Sequence, residues 1–187
     1  MPSDRRVITH DQVVQAGVTF FIAHARLDMD ELAREMAVGR ATLYRVVGGR
    51  ERLFGDVLDH LSVLTIDDIV RRHPGHGADW LLDIISRYHH AISRFGPLRR
   101  FMRTDPELAF RILFMPEAAV HSRSVTRWRG LIERAGIVDA APGSALTDDM
   151  AFVAVRIGES MFFTDVFAGR EPNLELSMRL LRSLLQP

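Results

Sequence analysis

No stretch of this chain alternates like a strand, and apolar residues recur at helical spacing from one end to the other. That periodicity restricts the chain to an all-α fold. Val13, Val14, Ala16, Gly17, Phe20 and Phe21 mark a first amphipathic helix over 12–24, starting near Thr9 or His10. From Glu51, the positions Leu53, Phe54, Val57, Leu58, Leu61, Leu64 and Ile69 predict a long helix reaching Arg72. The run His73-Pro74-Gly75-His76-Gly77 ends it and is the best internal boundary. Trp80 to Phe95 forms the next stripe, which Gly96-Pro97 closes, and Asp105-Pro106-Glu107 has the cap, N1 proline and first-turn acid of a new helix start. Met115-Pro116 separates that short helix from one ending near Gly136. After an irregular segment around Pro142-Gly143, two last helices are expected over 147–168 and 173–185. The pattern gives about nine helices in all.

The stretch from Leu27 to Leu53, LDMDELAREMAVGRATLYRVVGGRERL, carries the functional signal. Asp28 can cap a helix with Glu31 three residues on, and Met29, Leu32, Ala33 and Met36 form one apolar face. Ala37-Val38-Gly39 breaks that helix. A second runs over 40–46, with Leu43, Val46 and Val47 available to pack back and Arg40, Thr42, Tyr44 and Arg45 turned outward. Such donors suit phosphate oxygens and base edges, and the unit reads as a helix-turn-helix with its recognition helix over 40–46. Formal net charge is zero, yet four arginines and one acid, Glu51, fall between Arg40 and Arg52, and Arg5 and Arg6 add a cationic pair. All of the 24 Lys+Arg residues are arginine, so any phosphate contact can be bidentate.

The string A-V-G-R-A-T-L-Y-R-V-V-G-G-R-E-R-L resembles the signature of the TetR/AcrR family of transcriptional regulators, through Val38, Thr42, Leu43, Tyr44, Glu51 and Leu53, with Arg50 standing for a lysine. The chain departs from the family pattern where Gly39 replaces a capping serine, Val46-Val47 replaces an aromatic pair, and Gly49 replaces the cap of the fourth helix. The resemblance implies a three-helix DNA-binding domain over 1–50 and a ligand-binding and dimerisation bundle over 51–187, linked by helix 51–72. It also implies double-stranded operator DNA as a partner, contacted by Arg40, Thr42, Tyr44, Arg45 and Arg50, with Arg5 and Arg6 adding backbone or minor-groove contacts. Repression, relieved by a small effector, is the expected mode of action.

The expected helix over 147–168 is apolar on nearly every side, and the last helix is leucine-rich. Cover by a second copy is the natural solution, with Phe152, Val155, Phe162, Val166, Leu180 and Leu184 at a two-fold interface; an ordinary buried central helix is the competing account. Arg156, Glu159, Ser160 and Thr164 make a narrow polar strip within it, readable as an intrahelical ion pair or as the polar anchor of an apolar cavity. A pocket of that kind would draw on Tyr88, His89, Phe110, Arg111, His121, Trp128, Arg156, Glu159 and Phe163. Arg156-Ile157-Gly158-Glu159-Ser160, followed by Asp165, Gly169 and Pro172, resembles the C-terminal region of QsdR-type members, which implies a lactone or other acyl-chain effector.

Other classes find little support. The chain has no cysteine, and neither H-E-x-x-H, G-x-S-x-G nor a P-loop occurs. No catalytic residue, metal or cofactor is expected, and a small metalloenzyme bundle or a helical adaptor that binds no DNA are the alternatives. The segment MPSDRRVITHDQ lacks an apolar signal core and no window is long enough to span a bilayer, so a cytoplasmic protein without membrane attachment is expected.

Overall fold

In the computed structural model, which describes residues 8–137, 145–162 and 173–186 (for 161 and 162 the backbone alone), the all-α expectation holds. The described residues form ten α-helices and no strand. In chain order they are α1 (His10–His24), α2 (Met29–Glu35), α3 (Arg40–Val47), α4 (Arg50–Arg72), α5 (Gly77–Arg94), α6 (Gly96–Thr104), α7 (Pro106–Phe114), α8 (Val120–Ala135), α9 (Ala145–Phe162) and α10 (Leu174–Leu185), with a 3-10 turn at Pro116–Ala118 before α8. None of the described helices is long and apolar enough to cross a membrane.

The helix beyond the expected nine is α6. Gly96-Pro97 reads as a stop, but Pro97 occupies the first turn of α6, with Phe95 as N-cap. Proline loses nothing there, since first-turn N–H groups have no intrahelical acceptor and its fixed φ is already helical. Other starts follow the expected chemistry. Thr9 and Gln12 form a reciprocal capping box on α1, and Asp105 accepts from the Leu108 N–H at 3.1 Å. Asp28 accepts from the N–H groups of both Asp30 and Glu31 at 2.9 Å. These bonds, led by that from Glu31, hold the Asp28 carboxyl below its ordinary pKa. The other half of that box goes elsewhere: Glu31 pairs with Arg26 at 2.6 Å.

Two hydrophobic cores share α4. The first joins α1, α2 and α3 to the N-terminal half of α4, and also takes in Phe101 and Met102 of α6 and Leu108, Ala109 and Ile112 of α7. Its centre is aromatic, with Phe21 edge-on to Phe54 at 5.2 Å and Phe54 against Phe101 at 4.5 Å. The second core gathers Ile66 of α4 with Trp80, Leu81 and Ile84 of α5, Trp128 and Ile132 of α8, Ala151 of α9, and Leu181 and Leu185 of α10. Between them, α4 lies directly on the 3-10 turn at Gly55. A Cβ there would come within 2.2 Å of the Ala118 carbonyl oxygen, so only glycine permits the approach. The first core therefore draws on residues well beyond position 50, and the N-terminal helices are fastened to α6, α7 and the turn after α7.

Candidate functional site

The outer face of α3 is built by exclusion. Leu43 and Val47 are buried in the first core and Val46 is half-buried against it, which turns the remaining positions outward. Arg40 and Arg45 are exposed, and Thr42 and Tyr44 are half-buried. Arg40 pairs with Asp30 of α2 at 3.1 Å and lies over the Tyr44 ring at 5.3 Å. Its pKa moves upward, chiefly through the Tyr44 side chain and then Asp30. Gly39 caps α3 without any side-chain bond. At the start of α4, Arg50 donates from Nε to the Leu27 carbonyl at 2.9 Å, tying that helix to the turn before α2. Arg5 and Arg6 lie outside the described residues.

A cavity of about 340 Å³ opens between the two cores. Helix α4 gives it Leu58, Asp59, Leu61, Ser62 and Thr65, α5 gives Ile85, Tyr88, His89 and Ile92, and α6 gives Leu98 and Met102. Trp128 of α8 and Ala154, Val155, Gly158 and Glu159 of α9 complete most of the wall. Its size and its mostly apolar lining with a few polar groups are those of a small-molecule site. Among residues expected at a ligand, Tyr88, His89, Trp128 and Glu159 line it. Phe110 and Arg111 do not, because α7 turns Leu108, Ala109 and Ile112 inward; Phe110 is exposed and Arg111 pairs with Glu51 at 3.2 Å. His121 and Arg156 stand behind the wall, each on a different oxygen of Glu159, at 2.8 and 3.0 Å. Arg156 also lies over the Phe114 ring at 5.6 Å. Phe163 is outside the described residues.

His89 is buried and its pKa falls to about 4, first through burial and then through His90, so its imidazole is neutral at neutral pH. A Cβ on Gly158 would approach His89 Nε2 to 2.8 Å, so α9 can reach this ring only with glycine at that position. Burial pushes the Tyr88 phenol up, outweighing its bond to Ser62.

Spacing on two helices builds a polar ladder that sequence reading missed. Asp56, Asp59 and Ser62 follow one face of α4 toward the cavity, opposite Arg123 and Arg127 of α8. His10 of α1 meets Asp56 at 3.0 Å, and Arg123 meets the other Asp56 oxygen at 2.7 Å. Arg127 bridges Asp59 at 2.7 Å and Ser62 at 3.3 Å, and Ser62 bonds the Tyr88 hydroxyl at 2.7 Å. The available signal was Asp56, an acid inside the apolar run of α4, together with arginines four apart on α8.

On the far side, α9 and α10 expose Leu146, Phe152, Val153, Leu176 and Leu180. Val155, expected at an interface, belongs instead to the chain's own second core and to the cavity wall, with only 7% exposure. The helix turns Phe152 and Val153 outward, which sends Val155 inward. Leu184 is half-buried against the same core. Val166 and the side chain of Phe162 lie outside the described residues. Among the described residues, no group of three or more His, Asp or Glu side chains is arranged to hold a metal.

A helix-turn-helix head fastened to a helical bundle that encloses a cavity is the architecture of a DNA-binding regulator. The model of the tetracyclin repressor-like C-terminal domain matches residues 76–186, more than half of the chain. The protein thus belongs to the TetR family of transcriptional regulators. The structure of the transcriptional repressor QsdR of R. erythropolis, from the TetR family, is similar with a TM-score of 0.82 and 23% identity, over 94% of this chain and 93% of that one. A TetR-family regulator from Streptomyces coelicolor is similar with a TM-score of 0.50 and 19% identity, over 98% of this chain and 80% of that one. No curated protein matches the chain.

Proposed function

We propose that this protein is a dimeric repressor that reads a palindromic operator and is released from it by a small amphipathic effector. The reading is carried by one observation: α4 and α6 both line the cavity and both pack into the core that holds the recognition helix. An occupant of the cavity therefore touches the same helices that position α3. Arg40, Thr42, Tyr44 and Arg45 enter the major groove, while Arg50 and the arginine pair Arg5 and Arg6 add backbone contacts. The pair between Arg40 and Asp30 is exposed on both sides, so solvent screens it and it opens readily. Release requires the effector to bind the DNA-incompetent arrangement more tightly, since equal affinity for both shifts nothing. An acyl-chain or lactone compound suits the apolar wall, in line with the QsdR likeness.

Two copies meet through the exposed apolar face of α9 and α10, centred on Phe152 and Leu180, with Leu184 at its margin. Selection of genomic fragments on the purified protein tests the DNA reading. Enrichment of a two-fold site with half-sites about one helical turn apart, and affinity that falls steeply with salt, is the expected result. No enrichment, or binding indifferent to salt, would remove the proposal in favour of a helical adaptor.

A further inference from the structure

The polar groups of the cavity are arranged to select the charge state of what enters. Two carboxylates line it, Asp59 and Glu159, and no arginine is among its described lining residues. Both carboxylates are already engaged from behind, Asp59 by Arg127 and Glu159 by Arg156 and His121. An entering anion would meet carboxylate oxygens with no cation among the described lining residues. An entering cation would have to share carboxylates that arginines already hold. A charge moved from water into such a site is left without a partner of its own, and its desolvation disfavours it.

The hydroxyls add a directional element. Ser62 and Tyr88 both line the cavity and bond each other at 2.7 Å, while Arg127 donates to the Ser62 oxygen at 3.3 Å. Two hydroxyls carry two protons, and their mutual bond uses one. The second has no described acceptor, whichever hydroxyl donates to the other. This leaves one donor at the cavity wall, which a bound molecule satisfies with a hydrogen-bond acceptor such as a carbonyl or ester oxygen.

Building on the reading of the cavity as an effector site, we infer that it takes an uncharged amphiphile bearing a carbonyl or ester oxygen, held by the Ser62–Tyr88 hydroxyl pair, and rejects the corresponding carboxylate. An acyl ester and the acid formed by its hydrolysis would thus be distinguished, and hydrolysis would end the signal.

The test is calorimetric titration of the full chain at pH 7.5 with methyl octanoate, octanoate and octylammonium. The ester should bind at least roughly tenfold more tightly than either ion, as expected for a charge left unpaired in a water-poor site. Tyr88→Phe combined with Ser62→Ala, which removes both protons, should weaken the ester about five- to tenfold, the usual effect of one lost hydrogen bond, whereas either change alone leaves one hydroxyl to donate. Octanoate or octylammonium binding as well as the ester would overturn the inference, and so would ester affinity unchanged in the double hydroxyl variant. Ala154→Phe, which fills the cavity, separates the two levels. Ester binding unchanged in that variant would place the ester elsewhere and overturn the cavity reading and the inference together. Binding lost in that variant, with octanoate equal to the ester in the native chain, would keep the cavity and remove only the charge selection. No binding by any of the three probes overturns both.

Discussion

The two cores of this protein do opposite jobs with the same kinds of side chain. The first is sealed around Phe20, Phe21, Phe54 and Phe101, all essentially without exposure, and holds α3 in one orientation. The second is of similar composition, yet a cavity of about 340 Å³ separates it from the first, and polar groups line that opening. A solid core holds the outer face of α3 in place, whereas an open junction leaves room for a small molecule. Helix α4 belongs to both.

That contrast makes the two regions respond differently to substitution. Phe54→Ala should cost about 3–5 kcal/mol, because a sealed core leaves the hole unfilled. Ala154→Phe should change stability by less than about 1.5 kcal/mol, because the cavity accepts the added ring. Chemical denaturation of both variants measures the difference, and equal losses would show that the cavity wall is packed as tightly as the head.

Acid should attack the cavity side next. His89 has a folded pKa of about 4 against an ordinary value of 6.5. The unfolded chain takes up a proton below pH 6.5 that the folded one refuses until about 4. Stability is thus fully present above pH 6.5 and falls as pH drops toward 4, by up to about 3 kcal/mol. His89→Gln should flatten that decline in denaturation series over the same range; an unchanged pH profile would assign the acid sensitivity elsewhere.

Phe152→Glu with Leu180→Glu should convert a dimer to a folded monomer, read by light scattering, with thermal stability of the monomer little altered. A variant still dimeric would move the interface off this face. Arg45→Ala should have the smallest effect on stability, within about 0.5 kcal/mol. It should weaken operator binding and lower the slope of log affinity against log salt by about 1 per subunit if the side chain meets a phosphate. An unaltered slope would place Arg45 at a base edge or off the DNA.

The same contrast separates what sequence reading reached from what it missed. The head was legible because its determinants are local: Asp28 and Thr9 cap helices within three residues, and Leu43 and Val47 set the buried side of α3. The bundle depends on partners far apart in the chain. Ser62 and Tyr88 are 26 residues apart and Asp59 and Arg127 are 68, and no local pattern announces either pair. Phe110 and Arg111 were misplaced because their helix packs toward the head, and Val155 because an all-apolar helix hides which face its own chain covers. Gly158 shows the same limit, since its reason is the approach of His89 from another helix.

The central claim is that cavity and operator compete through α4. It is tested most directly by measuring the affinity of the cavity for methyl octanoate with the protein free and with it saturated by a selected operator fragment. Coupling between two sites is reciprocal and typically spans about 5- to 150-fold. Ester binding should be at least about fivefold weaker on the DNA-bound protein. Equal affinity in the two states would contradict it.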